Sequence, residues 1–272
     1  MKILCPVDLR EASLNAINYA GDLAKRIGAP LTLVHVVTEA TLIRQEAFAS
    51  DELLRLEAKA EVLLENICQE THTQFGVPCD YLIEKADLGG GVANIAAHYG
   101  YGLIITGTNG ANQLDKYVFG TNAMDIIENT RIPVIVVPAD HYDTRVDHIV
   151  YASNYQEGDH ENITQLLNLA NSLNASVTIL HVSSEDNPTS YEMFEAYRDF
   201  IFDKFYYTVP LNIEQIVHKN PVQGIMEFMQ KNGGDLLAML THHRNFFENT
   251  FHKSVTKKFA MIAEYPIMVF HR

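Results

Sequence analysis

Leu103-Ile-Ile-Thr-Gly107-Thr108-Asn109-Gly110 is followed, after nine residues, by Gly120-Thr121-Asn122-Ala-Met-Asp-Ile-Ile-Glu-Asn129. An apolar run of strand length leads into the glycines, and an amphipathic run of helical period leads out of them. The order strand, glycine-punctuated loop, helix makes a phosphate site physically possible. Glycine lets backbone approach an anion closely and takes positive φ. The first N–H groups of a helix lack intrahelical partners and carry partial positive charge. Thr121 or Asn122 would cap that helix and offer a side-chain donor. The spacing is G-x2-G-x9-G-[ST] after a late strand. It is neither G-x-x-x-x-G-K-[ST] nor G-x-G-x-x-G after a first strand. Three glycines alone are equally compatible with a strand end and a turn, so the context decides.

Working outward, strands and helices alternate on both sides of this stretch. Lys2 to Asp8 forms a short apolar strand ending in a carboxylate. Glu11 to Gly28 has a helical period, with Leu14, Ile17, Ala20, Leu23, Ala24 and Ile27 on one face. Leu31 to Val37 is a strand with no polar face, as a strand covered on both sides should be. Asp51 to Thr71 is a long charged helix, Cys79 to Glu84 an alternating strand at a sheet edge, and Leu88 to Tyr99 a helix opened by Gly89-Gly-Gly91. Leu103 to Gly107 and Pro133 to Pro138 complete five strands. Such alternation predicts an α/β fold with a parallel sheet and right-handed crossovers.

The pattern then repeats. An offset of 146 carries Asp8 to Asn154, Ala29 to Ala175, Thr32 to Thr178, His35 to His181 and Val36 to Val182. An offset of 133 carries Asp87 to Asn220, Gly91 to Gly224, Leu103 to Leu236, Thr121 to Ser254 and Pro133 to Pro266. The second copy is therefore 13 residues shorter (146 − 133), with the loss between its second and third strands. A register held over so many elements predicts two similar domains, 1–142 and 143–272. The same offset replaces Gly107 by Leu240, Gly110 by His243 and Gly120 by Lys253. A Cβ at each position should obstruct phosphates, so the first domain is expected to hold one competent site and the second a degenerate one.

Composition excludes several classes. Among 272 residues the net charge is −14, which disfavours nucleic acid and anionic membrane as partners. No apolar run approaches the roughly 20 residues of a membrane helix, and the N-terminus lacks the form of a signal peptide. Three cysteines, Cys5, Cys68 and Cys79, with no close pairing in sequence argue for a reducing compartment and a cytoplasmic protein. His242, His243, His252 and His271 have no spacing that suggests a metal site. His35 and His181 fit satisfied core histidines better than catalytic ones. Arg244, Lys253, Lys257 and Lys258 form a local basic group, either a solvated helix face or a replacement for the lost phosphate pocket. The aromatic-rich run Tyr191 to Tyr207 exceeds what one buried helix face needs, so a dimer or partner contact is plausible.

These residues resemble the universal stress protein family in its tandem two-domain form. Gly107, Gly110, Gly120 and Thr121 fit the motif of its nucleotide-binding members without a gap. The resemblance extends to the Pro6-Val7-Asp8 strand end, the strand through Val36, and the ending Ile132-Pro-Val-Ile-Val-Val-Pro138. It implies two open five-stranded parallel sheets of order 3-2-1-4-5, helices on both faces, Rossmann-like and of the adenine nucleotide alpha hydrolase type. In that order a crevice opens at the carboxyl ends of the first and fourth strands.

The resemblance further implies that Pro6, Val7 and Asp8 lie along a nucleoside and that the Val36 backbone meets the adenine or ribose. Gly107, Thr108, Asn109, Gly110, Gly120, Thr121 and Asn122 would hold ribose and phosphates. The ligand would be ATP, or AMP or ADP, and Asp8 could hold Mg²⁺ through phosphate oxygens. Many relatives carry a basic residue or His where this chain has Asn109, a departure that removes positive charge near the phosphates. A nucleotide-dependent regulator is the expected function, with a slow Mg-dependent ATPase or a ligand-free scaffold as alternatives. No catalytic constellation can be assembled from spacing, and no P-loop Lys or arginine finger accompanies the motif. A homodimer, with the two halves pairing internally as a pseudo-dimer, would suit such a chain.

Overall fold

The computed structural model describes residues 1–9, 11–38, 50–108, 121–155, 159–205, 208–241 and 264–271. Asn109, Gly110, Gly120, His242, His243, Arg244, His252, Lys253, Lys257 and Lys258 lie outside them. The chain divides into two compact units, Met1–Thr144 and Arg145–Phe270.

The first unit runs β1 (Ile3–Pro6), α1 (Glu11–Ile27), β2 (Leu31–Val37), α2 (Ser50–Phe75), β3 (Cys79–Lys85), α3 (Leu88–Tyr99), β4 (Leu103–Gly107), α4 (Thr121–Asn129), β5 (Val134–Val137). Its strands lie in the order β3-β2-β1-β4-β5, and each paired strand is parallel to its neighbour. The apolar runs explain the central position of β1 and β4. Ile3, Leu4, Cys5, Leu103, Ile104 and Ile105 are all buried, since helices cover both faces. Helix α1 packs against α2, and α3 against α4.

β1 and α1 each differ from the sequence reading in one respect. β1 stops at Pro6 rather than Asp8, because Leu9 takes a left-handed φ of 58° and turns the chain away from the sheet. The buried face of α1 is centred on Ser13, Ala16, Ile17, Ala20 and Leu23, while Leu14 is 45% exposed. Ile17, Ala20, Leu23 and Ala24 of the expected stripe are buried, and Ser13 takes the place of Leu14 on that face.

The second unit runs β6 (His148–Ala152), α5 (Asp159–Leu173), β7 (Ser176–Ser183), α6 (Pro188–Lys204), β8 (Leu211–Val217), α7 (Pro221–Asn232), β9 (Leu236–Thr241), β10 (Ile267–His271). Its order, β8-β7-β6-β9-β10, has the topology of the first. Backbone detail repeats as well. Leu9 and Tyr155, 146 apart, share positive φ of 58° and 59°. Gly100 and Gly233, 133 apart, close α3 and α7 at φ 68° and 66°. Asp87 and Asn220 cap the starts of the same two helices.

The length difference falls more sharply than the sequence shows. Leu31 pairs with Cys79, and its counterpart Val177 pairs with Leu211, an offset of 132 at the third strand (211 − 79). Fourteen residues are lost before that strand (146 − 132), and one is regained in the turn His218-Lys219-Asn220 that leads into α7. In α6, Tyr197 and Ile201 are buried, whereas Tyr191, Met193, Phe200 and Phe202 are 45–57% exposed. Its aromatic richness thus exceeds what its own unit covers. Among the described residues, no helix is long and apolar enough to cross a membrane.

Candidate functional site

The register of the first sheet brings the described residues among those expected, Pro6, Val7, Asp8, Val36, Gly107 and Thr108, to one end of the sheet. Leu4 pairs with Ile104 and Pro6 with Val34. Val7 and Asp8 follow these rungs just past the end of β1, at the end of the sheet where Val36 and Gly107 lie in β2 and β4. The crevice of an open α/β sheet lies at this level, where connections leave β1 in one direction and β4 in the other.

Local bonds fix each group. Val7 N–H donates to Val34 O at 2.9 Å, the last rung between the two strands. The backbone groups of Val34 therefore face β1, and so do those of Val36 two residues on, where β1 has ended. The Val36 side chain is buried beneath the start of α3. A Cβ on Gly91 would lie 2.7 Å from Ala86 Cβ and 3.8 Å from Val36 Cγ1, so glycine allows this helix to seat there. The Val36 backbone, and not its side chain, is thus what faces the end of β1. The imidazole Nδ1 of His35 donates to Val7 O at 2.9 Å. His35 is thus a strand-end brace, the satisfied histidine expected.

Asp8 is oriented by Ser13, a residue the sequence reading passed over. Asp8 N–H donates to Ser13 Oγ at 3.1 Å, and the Ser13 hydroxyl donates back to the Asp8 carboxylate. The available signal was a Ser in the first turn of a helix, five residues after a carboxylate, a position suited to capping chemistry. Asn15, also unremarked, donates from Nδ2 to Pro138 O at 2.8 Å and to His141 O, tying α1 to the segment that leaves β5. The buried Thr108 hydroxyl accepts from Ala139 N–H at 3.1 Å, and Thr108 N–H donates to Val137 O at 3.0 Å. Thr108 therefore braces β4 against β5, and the structure gives its side chain a scaffolding bond.

Two helix starts lie near the strand ends, and their chemistry differs. The N–H groups of α3 are occupied. Gly89 donates to Asp125 Oδ2 at 2.8 Å, Gly90 to Asp87 Oδ2 at 2.9 Å, and Gly91 to Asp87 O at 2.9 Å. The triple glycine therefore serves helix packing and is not a phosphate cradle. Helix α4 opens at Thr121 and Asn122 with no acidic residue in its first turn, an arrangement favourable to an anion. Asp8 supplies a hard oxygen at the same end of the sheet, of the type Mg²⁺ accepts.

A cavity of about 530 Å³ lies elsewhere, between α2 and the edge strand β3. Glu57, Glu61 and Glu84 line it beside Lys85, which is paired with Glu57 at 2.5 Å. This carboxylate-rich lining disfavours phosphate. Among the described residues there is no group of three or more His, Cys, Asp or Glu placed to hold a metal ion.

The equivalent level in the second unit carries an aromatic cluster on its β7–β8 side. Ser153, Asn154 and Val182 stand where Val7, Asp8 and Val36 stand in the first. The next residue, Tyr155, stacks its ring on His181 at 4.0 Å and lies 4.5 Å from the Tyr197 ring. Its hydroxyl donates to Gln215 Oε1 at 3.0 Å, and burial pushes that phenol's pKa up. His181 Nδ1 donates to Ser153 O at 2.8 Å, matching the His35 brace. The first unit has Leu9 in place of Tyr155, and no ring to stack. Leu240, in place of Gly107, brings a side chain to the end of β9.

Comparison with known proteins agrees with this architecture. Residues 1–138 match the model of the Universal stress protein family. A universal stress protein of Methanocaldococcus jannaschii is 29% identical over 152 residues, covering 50% of this chain and 81% of that protein. The crystal structure of a universal stress protein from Archaeoglobus fulgidus superposes with a TM-score of 0.77 at 16% identity, covering 100% of this chain and 96% of that one. A functionally unknown protein from Pseudomonas aeruginosa PAO1 superposes with a TM-score of 0.61 at 17% identity, covering 99% and 92%. At these identities, the structural likenesses speak to fold alone.

Proposed function

The chain belongs to the universal stress protein family, and from that premise we propose that it is an adenine-nucleotide-binding regulator with one ATP site, in the first unit. The observation that carries this reading is that β1, β2 and β4 run side by side and parallel, with Pro6 paired to Val34 and Leu4 to Ile104, so that Asp8, Val36 and Gly107 lie at the same end of the sheet. Helix α4 supports it by opening with no acidic residue in its first turn. Val36 offers backbone to the base or ribose, and Pro6, Val7 and Asp8 line the nucleoside. Gly107, Asn109, Gly110, Gly120, Thr121 and Asn122 receive the phosphates, and Thr108 holds the end of β4 in place. A bound Mg²⁺ would shield phosphate charge, with Asp8 as its protein oxygen. The second unit does not take nucleotide, because Tyr155 occupies the strand-end level and Leu240, His243 and Lys253 replace the three glycines.

Regulation fits these residues better than turnover. Ser13 ties the Asp8 carboxylate in place, and neither a P-loop Lys nor an arginine finger accompanies the motif to stabilise a transferring phosphoryl group. Denaturing the purified protein and chromatographing the supernatant tests the reading. ATP or AMP released at about one molecule per chain supports it. No nucleotide, even after incubation with ATP, contradicts it and favours a ligand-free scaffold. Multiple-turnover phosphate release, lost in Asp8→Ala with binding retained, would instead make the protein an ATPase.

A further inference from the structure

Cys68 and Cys79 are eleven positions apart (79 − 68), and no short redox motif joins them, yet the fold sets their sulfurs 3.0 Å apart. Cys68 sits two turns from the end of α2, and Cys79 is the first residue of β3. The connection Gly76-Val77-Pro78 is held at both ends of its turn. Gly76, at φ 72°, donates its N–H to His72 O at 2.8 Å, and His72 Nδ1 donates to Val77 O at 2.9 Å. The two thiols are thus fixed side by side. Neither is part of a metal cluster among the described residues. Cys68 is 7% exposed and Cys79 half-buried, a setting open to a small oxidant and closed to a bulky one. The third thiol, Cys5, is fully buried on the central strand β1.

We propose that Cys68 and Cys79 form a redox-active pair that a hydroperoxide closes to an intramolecular disulfide, stapling α2 to the edge strand β3. The pair is asymmetric. The Cys79 S–H points at Cys68 Sγ and lowers the Cys68 pKa, outweighing burial and the negative charge of Asp80. Giving that hydrogen bond, together with burial, pushes Cys79 up. In this scheme Cys68, whose S–H donates to Asp80 O at 3.3 Å, gives up that proton to attack, and Cys79 resolves. The Cys68 sulfur attacks one peroxide oxygen, the O–O bond breaks, and a sulfenic acid forms. The departing oxygen leaves as water, or as an alcohol from an organic hydroperoxide. Cys79 sulfur then attacks Cys68 sulfur, the S–O bond breaks, and the hydroxyl leaves as water with the Cys79 proton. Two thiols and one hydroperoxide give one disulfide, one water, and one further water or alcohol.

The test is hydrogen peroxide added to the reduced full chain, followed by alkylation, digestion and mass spectrometry. The expected result is a peptide pair joining Cys68 to Cys79, lighter by two hydrogens, reversed by dithiothreitol, with Cys5 unmodified. Cys79→Ser should accumulate a sulfenic acid at Cys68 that dimedone traps, and Cys68→Ser should trap none at position 79. If the treated wild-type chain keeps both thiols alkylatable, carries sulfinic acid without a link, or joins separate chains instead, the proposal is overturned whatever the variants do.

Discussion

Asp8 and Ser13 hold each other across the turn that carries the chain from β1 into α1. The backbone N–H of Asp8 donates to Ser13 Oγ at 3.1 Å, while the Ser13 hydroxyl donates to the Asp8 carboxylate. Ser13→Ala removes both bonds and leaves the Asp8 N–H without this acceptor. Urea unfolding should show a loss of about 1 kcal/mol. ATP affinity should fall severalfold, because the carboxylate loses its fixed orientation. A variant with wild-type stability and affinity would show that the pair is incidental.

Gly89 lets α3 and α4 touch. An added Cβ would stand 2.4 Å from the Asp125 backbone oxygen, which cannot swing aside as a side-chain end could. Gly89→Ala should therefore cost about 1–3 kcal/mol in denaturant melts. It should also weaken nucleotide binding, since α4 carries Thr121 and Asn122. Stability equal to wild type would mean that the two helices part without cost.

Tyr155 and Leu9 occupy equivalent left-handed positions, but only the tyrosine fills its strand-end level. Tyr155→Leu loses the stack on His181 and the bond to Gln215, and should destabilise the protein by about 1–3 kcal/mol. Binding stoichiometry should stay at one ATP per chain, because Leu240, His243 and Lys253 remain. A second ATP bound by this variant would show that the tyrosine alone had closed the site.

Burial raises the Cys5 thiol from its ordinary 9.0 to about 12. A raised folded-state pKa means that the native state keeps a proton the unfolded chain gives up. The stability from this group is complete below pH 9.0 and is lost as pH rises toward about 12. Between those values wild type should lose stability relative to Cys5→Ala, by at most about 1.4 kcal/mol per pH unit. Parallel pH profiles for the two proteins would contradict this burial effect.

Much of this was legible in the sequence because the relevant forces act locally. Apolar runs such as Leu31–Val37 have one stable use, as strands covered on both faces, and the repeat fixes the topology twice. The asymmetry of Gly107 against Leu240 could likewise be read from the chain. What the sequence hid depends on contacts between distant residues. Ser13 looks like any polar residue in a first helical turn until Asp8 folds back on it. Leu14 fits the apolar stripe but points outward, and Ser13 lies on the buried face in its place. Cys68 and Cys79 have an unremarkable spacing, and only the short turn after α2 brings their sulfurs together. Tyr155 lies in a loop where composition gives no sign that its ring will cover His181.

The central claim is one nucleotide site per chain, built on bare backbone in the first unit. Titration calorimetry with ATP on wild type and Gly120→Val tests it most directly. The account predicts one ATP per wild-type chain and none for the variant, with unchanged thermal unfolding of the ligand-free proteins. Wild-type affinity in Gly120→Val, or two ATP per wild-type chain, would contradict it.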